Sequence, residues 1–267
     1  MAVAGSKRSP TPEPRRNVVA AARSSGRRTS SSAARWEFVR SIIGAILIFL
    51  VVRTFLVEAY RIPSGSMIPT LLVGDWLFVN KLIYGPNIPF TSINLPGYAE
   101  PGRGEVAVFV SPRQADQPWD PTPTLVKRIA GAPGDTLYMR SGELFANGVV
   151  QRPVPGTERN PRLNGDVADP LMLWQRQYAL SESRFGPAPE RPTLDDWGPI
   201  VIPDERYFML GDNRHQSKDS RYWGLVPREN FRGRPIFVYY SYQAEQSDRP
   251  LPFLTDIRWG RIGHRIR

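Results

Sequence analysis

Thr124–Gln151 reads TLVKRIAGAPGDTLYMRSGELFANGVVQ. Within Thr124–Gly131, Leu125, Lys127 and Ile129 fall on one side of an extended chain, and Val126, Arg128 and Ala130 on the other. Asp135–Gln151 keeps the same period of two and contains Asn147-Gly148, the dipeptide that best fits a tight hairpin turn. The spacing predicts strands rather than helices. The same alternation recurs outward in both directions, at 75–85 (DWLFVNKLIYG), 104–112 (GEVAVFVSP), 199–203 (PIVIP), 206–210 (RYFML) and 234–242 (RPIFVYYSY). With 27 Pro and 22 Gly in 267 residues, short strands joined by turns are favoured over long helices. The expected fold is mainly β with long loops. Residues 152–198 are Pro-rich and weakly patterned, and read as a variable insertion with one short helix near 170–180 (PLMLWQRQYAL).

Upstream the pattern changes. Ser41–Val52 is uncharged and apolar, and the apolar run continues past Arg53 to Val57. Seventeen residues rise ~26 Å as a helix against ~30 Å of hydrocarbon, with Arg40 and Arg53 able to snorkel at the ends. A transmembrane helix over 36–58 is expected. A cleaved secretory leader is the rival, but some forty residues before the apolar core are too many for one. Residues 1–40 hold nine Lys/Arg and two acids, a balance of +7 out of the chain's +10. The tail 1–35 is therefore expected to be disordered, basic and cytoplasmic; Arg- and Ser-rich composition also suits a transit peptide. Positive charge before the helix places the body, 59–267, outside. The tail lacks aromatics and helical patterning, which argues against nucleic-acid binding.

The chain has no cysteine, which removes thiol nucleophiles and disulfides. His215 and His264 have no zinc-type spacing, and no phosphate-binding loop motif is present, so neither metal nor cofactor is expected. The acids at Asp195-Asp196, Asp204-Glu205, Asp212 and Asp219 read as solvated loop residues. The unusual segment is Arg61–Thr70, RIPSGSMIPT, with two serines just beyond the apolar run. A serine nucleophile needs a base. His264 lies near the end and is expected to fray, which leaves His215 on the histidine side. Arginine cannot deprotonate at working pH, and the four lysines are 7, 81, 127 and 218. Lys7 is in the tail and Lys218 abuts Asp219. Lys127 and Lys81 both have apolar neighbours along one strand face, a setting that desolvates an amine and lowers its pKa. The pattern leaves Lys127, Lys81 and His215 open.

Nine residues separate Val57 from Ser66 and span at most ~30 Å, so Ser66 is held close to the membrane face. Met67, Ile68, Leu71 and Leu72 either dip into that interface or enter the core.

PSGSMIPTLLVGD, VKRIAGAPGD, GELFANG and GDNRHQSKDSRYWGLV, in that order, resemble the type I signal peptidases over roughly 36–151 and 199–240. The resemblance implies a membrane-anchored serine endopeptidase on a largely β fold, which removes signal peptides from exported preproteins with a Ser/Lys dyad. It implies Ser66 as nucleophile and Lys127 as general base. Ser64 would join the Ser66 N–H in an oxyanion hole, and Ser217 would hydrogen-bond and orient the lysine. Asp219 and Arg221 would support the site, and Asp212 would pair with Arg128. His215 falls at a variable place in the motif, against a histidine triad. Family substrates carry small residues at −1 and −3 from the cut. Self-cleaving repressors also use Ser/Lys but need a DNA-binding domain where this chain has a membrane helix. Penicillin-binding enzymes need a lysine three residues after the serine, absent here. A non-catalytic membrane-anchored β domain is the remaining rival, opposed by the intact pair.

Overall fold

The computed structural model describes residues 31–88, 91, 93–114, 116–152, 167–180, 183–245 and 248–267. Most of the expected tail, 1–30, lies outside them, as does 153–166 of the insertion. The chain divides into two units between Ile46 and Leu47.

The first unit carries the N-terminal part of helix α1, Ser31–Val51. The helix starts inside the stretch read as tail, because nothing between Ser31 and Trp36 breaks it: there is no Gly or Pro, and an adjoining helix propagates cheaply into such a sequence. A π-helical turn, Val52–Leu56, extends it. Arg35–Leu56 is 22 residues with a mean hydropathy of 2.1, and its most apolar window is entirely unburied. By length and composition it is able to cross a bilayer.

The second unit is β-rich. Its strands are β1 (Val57–Arg61), β2 (Asp75–Asn80), β3 (Val106–Val110), β4 (Thr124–Gly131), β5 (Thr136–Arg140), β6 (Glu143–Ala146) and β7 (Val149–Val150). They continue with β8 (Trp197–Val201), β9 (Arg206–Leu210), β10 (Val226–Pro227) and β11 (Phe231–Ser241), with a short helix α2 (Ser220–Trp223) before β10. One sheet runs β1-β2-β11-β3-β4-β9-β10 and the other β7-β6-β5-β8; every pairing is antiparallel. The mainly β expectation is met.

β11 holds the larger sheet together. Phe231 and Gly233 pair with β3, while Arg234 onward pairs with β2. The changeover requires glycine: a Cβ on Gly233 would lie 2.4 Å from the Asn80 carbonyl oxygen. β4 lies between β3 and β9 and so carries Lys127 and Arg128 in the interior of the sheet. The hairpin at Asn147-Gly148 forms, with φ of 55° and 85°. A second turn at Ser141-Gly142, φ 49° and 80°, divides what reads as one long strand.

Three outcomes bear on the site, the first of which decides between two readings left open by the sequence. Met67 and Leu71 enter the core, packed with Ile62, Leu77, Val108 and Val238, while Ile68 stays exposed. The insertion is not peripheral throughout. A 3-10 helix, Pro170–Tyr178, buries Met172 against Trp197 and Phe208, and Trp197 begins β8. The short helix expected near 170–180 is thus present, in 3-10 form. The C-terminus does not fray: Val238 N–H donates to the His264 carbonyl at 2.9 Å, Ile266 N–H to the Ile236 carbonyl at 3.1 Å, and Ile266 is buried.

Candidate active site

Ser66 sits in a single 3-10 turn, Gly65–Met67, which follows β1. The turn is anchored by the next residues. Full burial of a Met or Leu is worth ~1.5–3 kcal/mol, and Met67 and Leu71 are both buried. From the other side, the loop after β9 grips the same turn. Asn213 N–H donates to the Ser66 carbonyl at 3.1 Å, and Asn213 Nδ2 to the Gly65 carbonyl at 3.2 Å. Gly211 has no room for a side chain: a Cβ there would lie 2.1 Å from Ser217 Oγ and 2.6 Å from the Ser66 carbonyl oxygen.

Lys127 reaches this turn from β4. Its Nζ lies 2.5 Å from Ser66 Oγ, and the residue is only 4% exposed. Burial drives the amine down from the ordinary lysine value, the Asp219 carboxylate pushes it back up, and the Arg221 guanidinium pushes it down again; the balance is about 8. Asp219 is wholly buried. Burial by itself would raise its carboxyl, but the Arg221 guanidinium and hydrogen bonds from Arg221 and the Gly211 N–H outweigh that and hold it below the usual range. The bond is bidentate: Arg221 Nε and Nη2 each lie 2.8 Å from an Asp219 oxygen. Asp219 is thus spoken for by an arginine, which limits how far it can hold Lys127 in the charged form.

A second ion pair ties three segments together. Arg128 donates to Asp212 through Nε at 2.8 Å and Nη2 at 2.7 Å, and Thr70 Oγ1 donates to the same carboxylate at 2.5 Å. It joins β4, the loop after β9 and the chain just beyond Ser66. A cleft of about 350 Å³ opens at Ser66 and Lys127, lined among others by Ser64 and Leu125.

The structure therefore brings Ser66 to Lys127 and to neither rival. Lys81 is engaged by Glu58 at 3.1 Å. His215 lies against Asp195 at 3.1 Å, with both side chains nearly buried. Lys218 reaches the cleft rim and pairs with Asp116. Ser64 is exposed at the cleft beside Ser66. Ser217 is buried, but its Oγ makes no hydrogen bond among the described residues, so the bond to lysine implied by the resemblance is not formed. Asp195, Asp212 and Asp219 are buried rather than solvated; each has a cationic or polar partner that is distant in sequence or hidden in a loop. Thr70, Gly211 and Asn213 were not singled out from the sequence. The Gly-Asp-Asn run directly after the strand RYFML was the signal available, since such residues shape a turn.

Residues 35–240 match the family described as signal peptidase, peptidase S26. Among similar proteins, Signal peptidase I of Pseudomonas aeruginosa is 36% identical over 218 residues, 77% of this chain and 72% of its own length. Signal peptidase I of Pseudomonas fluorescens is 36% identical over 241 residues, 85% of this chain and 78% of its own. Signal peptidase I of Haemophilus influenzae is 31% identical over 260 residues, 81% and 73% of the two chains.

Proposed function

The chain belongs to the signal peptidase family, peptidase S26, and we propose that it cuts signal peptides from preproteins with a Ser66/Lys127 dyad while anchored to a bilayer by Arg35–Leu56. The observation that carries the reading is the 2.5 Å approach of a buried amine to Ser66 Oγ. With its pKa at about 8, Lys127 is uncharged in roughly a tenth of molecules at pH 7, against ~0.04% for an ordinary lysine.

The neutral amine accepts the Ser66 proton as Oγ attacks the scissile carbonyl carbon. The Ser66 N–H and the Ser64 hydroxyl donate to the oxygen on which negative charge builds, at ~3–4 kcal/mol per well-placed donor. The ammonium formed on Lys127 then returns its proton to the departing amine. Water repeats the sequence on the acyl-enzyme and frees Ser66. The buried Asp219 carboxylate stabilises the transient ammonium, and Arg221, by holding Asp219, keeps it from locking Lys127 in that state. Leu125 gives the cleft an apolar wall, which suits small uncharged residues before the cut.

The test is cleavage of an exported precursor by the full chain in micelles. Ser66→Ala and Lys127→Ala are each expected to abolish cleavage, and His215→Ala to leave it largely intact. Retained cleavage by Lys127→Ala contradicts the reading.

A further inference from the structure

Away from Ser66 the second unit holds a larger cavity, of about 630 Å³, within the ~300–1,000 Å³ range of small-molecule sites. It lies between the end of β2, the start of β11 and the C-terminal segment, and its lining includes Arg234, Arg265 and Arg267. Arg234 is paired to Glu105. Arg265 and Arg267 have no carboxylate partner among the described residues. Guanidinium groups left without an acid favour a phosphate, which they bind through two parallel N–H donors. Tyr98 also lines the cavity; its hydroxyl accepts from Asn80 Nδ2 at 2.8 Å, which leaves its own proton to donate. The remaining walls include Ile83, Ile236 and Phe237. A site of this size, lined by both guanidinium groups and apolar side chains, suits an amphiphilic anion better than a bare one.

Its place in the fold narrows the choice. Asn80, on the rim, is the register partner of Val57, where the chain leaves the apolar segment, and Lys81 N–H bonds the Leu56 carbonyl at 3.0 Å. Resting on the reading of Arg35–Leu56 as an anchor, we propose that this cavity takes the phosphate headgroup of an anionic phospholipid, gripped by Arg265 and Arg267 with Tyr98 as a further donor. Occupation would seat the body against the bilayer surface beside its anchor.

The experiment uses the full chain in neutral-detergent micelles and reads the midpoint of thermal unfolding. Short-chain phosphatidylglycerol is titrated in one arm, short-chain phosphatidylcholine in a second, inorganic phosphate in a third. Phosphatidylglycerol is expected to raise the midpoint saturably, phosphatidylcholine to do so much less. In the double variant Arg265→Gln/Arg267→Gln the half-saturating phosphatidylglycerol concentration should rise about tenfold or more, with precursor cleavage in lipid-free micelles unchanged. The same response in wild type and double variant overturns the proposal. So does saturation by inorganic phosphate with no further effect of the lipid, which identifies a soluble anion as the ligand. Cleavage and alkaline extraction from membranes, measured on the same preparations, report separately on the dyad and the anchor, so their failure is not mistaken for failure of this site.

Discussion

At the scale of residues, the account turns on one amine. Lys127 was visible in the sequence as a lysine among apolar strand neighbours, but Lys81 had the same signature. What separates them is Glu58 on β1, which pairs with Lys81, and the Gly65–Met67 turn, which meets Lys127. Both are contacts between segments distant in sequence, and alternation along one strand carries no information about them. Burying Lys127 has a thermodynamic cost. Its pKa falls from 10.5 to about 8 on folding, so between those values the unfolded chain binds more protons and stability rises with pH. The cost is fully present below about pH 8 and vanishes above about 10.5; it amounts to roughly 3 kcal/mol. Lys127→Met keeps the volume and removes the charge. It is expected to be inactive yet more stable than the parent at pH 7, by up to ~3 kcal/mol, with the gain shrinking as pH rises toward 10. Thermal unfolding at several pH values checks this; a destabilised variant at pH 7 contradicts the assigned burial.

At the scale of elements, the loop after β9 is the part of the site that the sequence hid most. GDNRHQSKDSR reads as a polar surface loop, yet Asp212, Asp219 and Arg221 are buried in it. The loop folds back onto Ser66 and β4, where Asp219 pairs with Arg221 and Asp212 with Arg128 of β4. Pattern reading treats each acid alone and so assigns it to solvent. Gly211 sets the spacing. Gly211→Ala forces a methyl against Ser217 and the Ser66 carbonyl. The shift should displace Ser66 and lower kcat about a hundredfold at a stability cost of ~1–3 kcal/mol, seen in steady-state cleavage together with denaturant unfolding. Near-parental kcat would show that the loop does not set the position of Ser66. The short helix expected near 170–180 is present as the 3-10 helix Pro170–Tyr178, but its place in the core was not legible: its buried residue, Met172, is fixed by Trp197 and Phe208, which lie downstream in the chain.

At the scale of the whole molecule, the sheet-rich body was legible because antiparallel strands with one buried face alternate, and the apolar helix because seventeen residues in a row have only one charge. The order of strands was not legible. β11 joins β2 to β3 across more than a hundred residues of chain, and register between strands so far apart is set by packing alone. The anchor and its direction give a further expectation. In sealed vesicles carrying the inserted chain, a protease added on the side of the body should digest residues beyond about 60 and spare the basic tail. Digestion of the tail with the body protected would reverse the orientation; release of intact chain by alkaline carbonate would remove the anchor.

The most direct test is available because lysine is so scarce. Full-length protein labelled with 13C at the lysine ε-carbon gives signals from four residues, and Lys127→Ala identifies the one at the site. Titrated from pH 6 to 11, that signal is expected to move with a midpoint near 8, well below the ~10.4 of a lysine in an unstructured peptide. A midpoint near ~10.4 would mean that the amine is charged at working pH and cannot take the proton from Ser66.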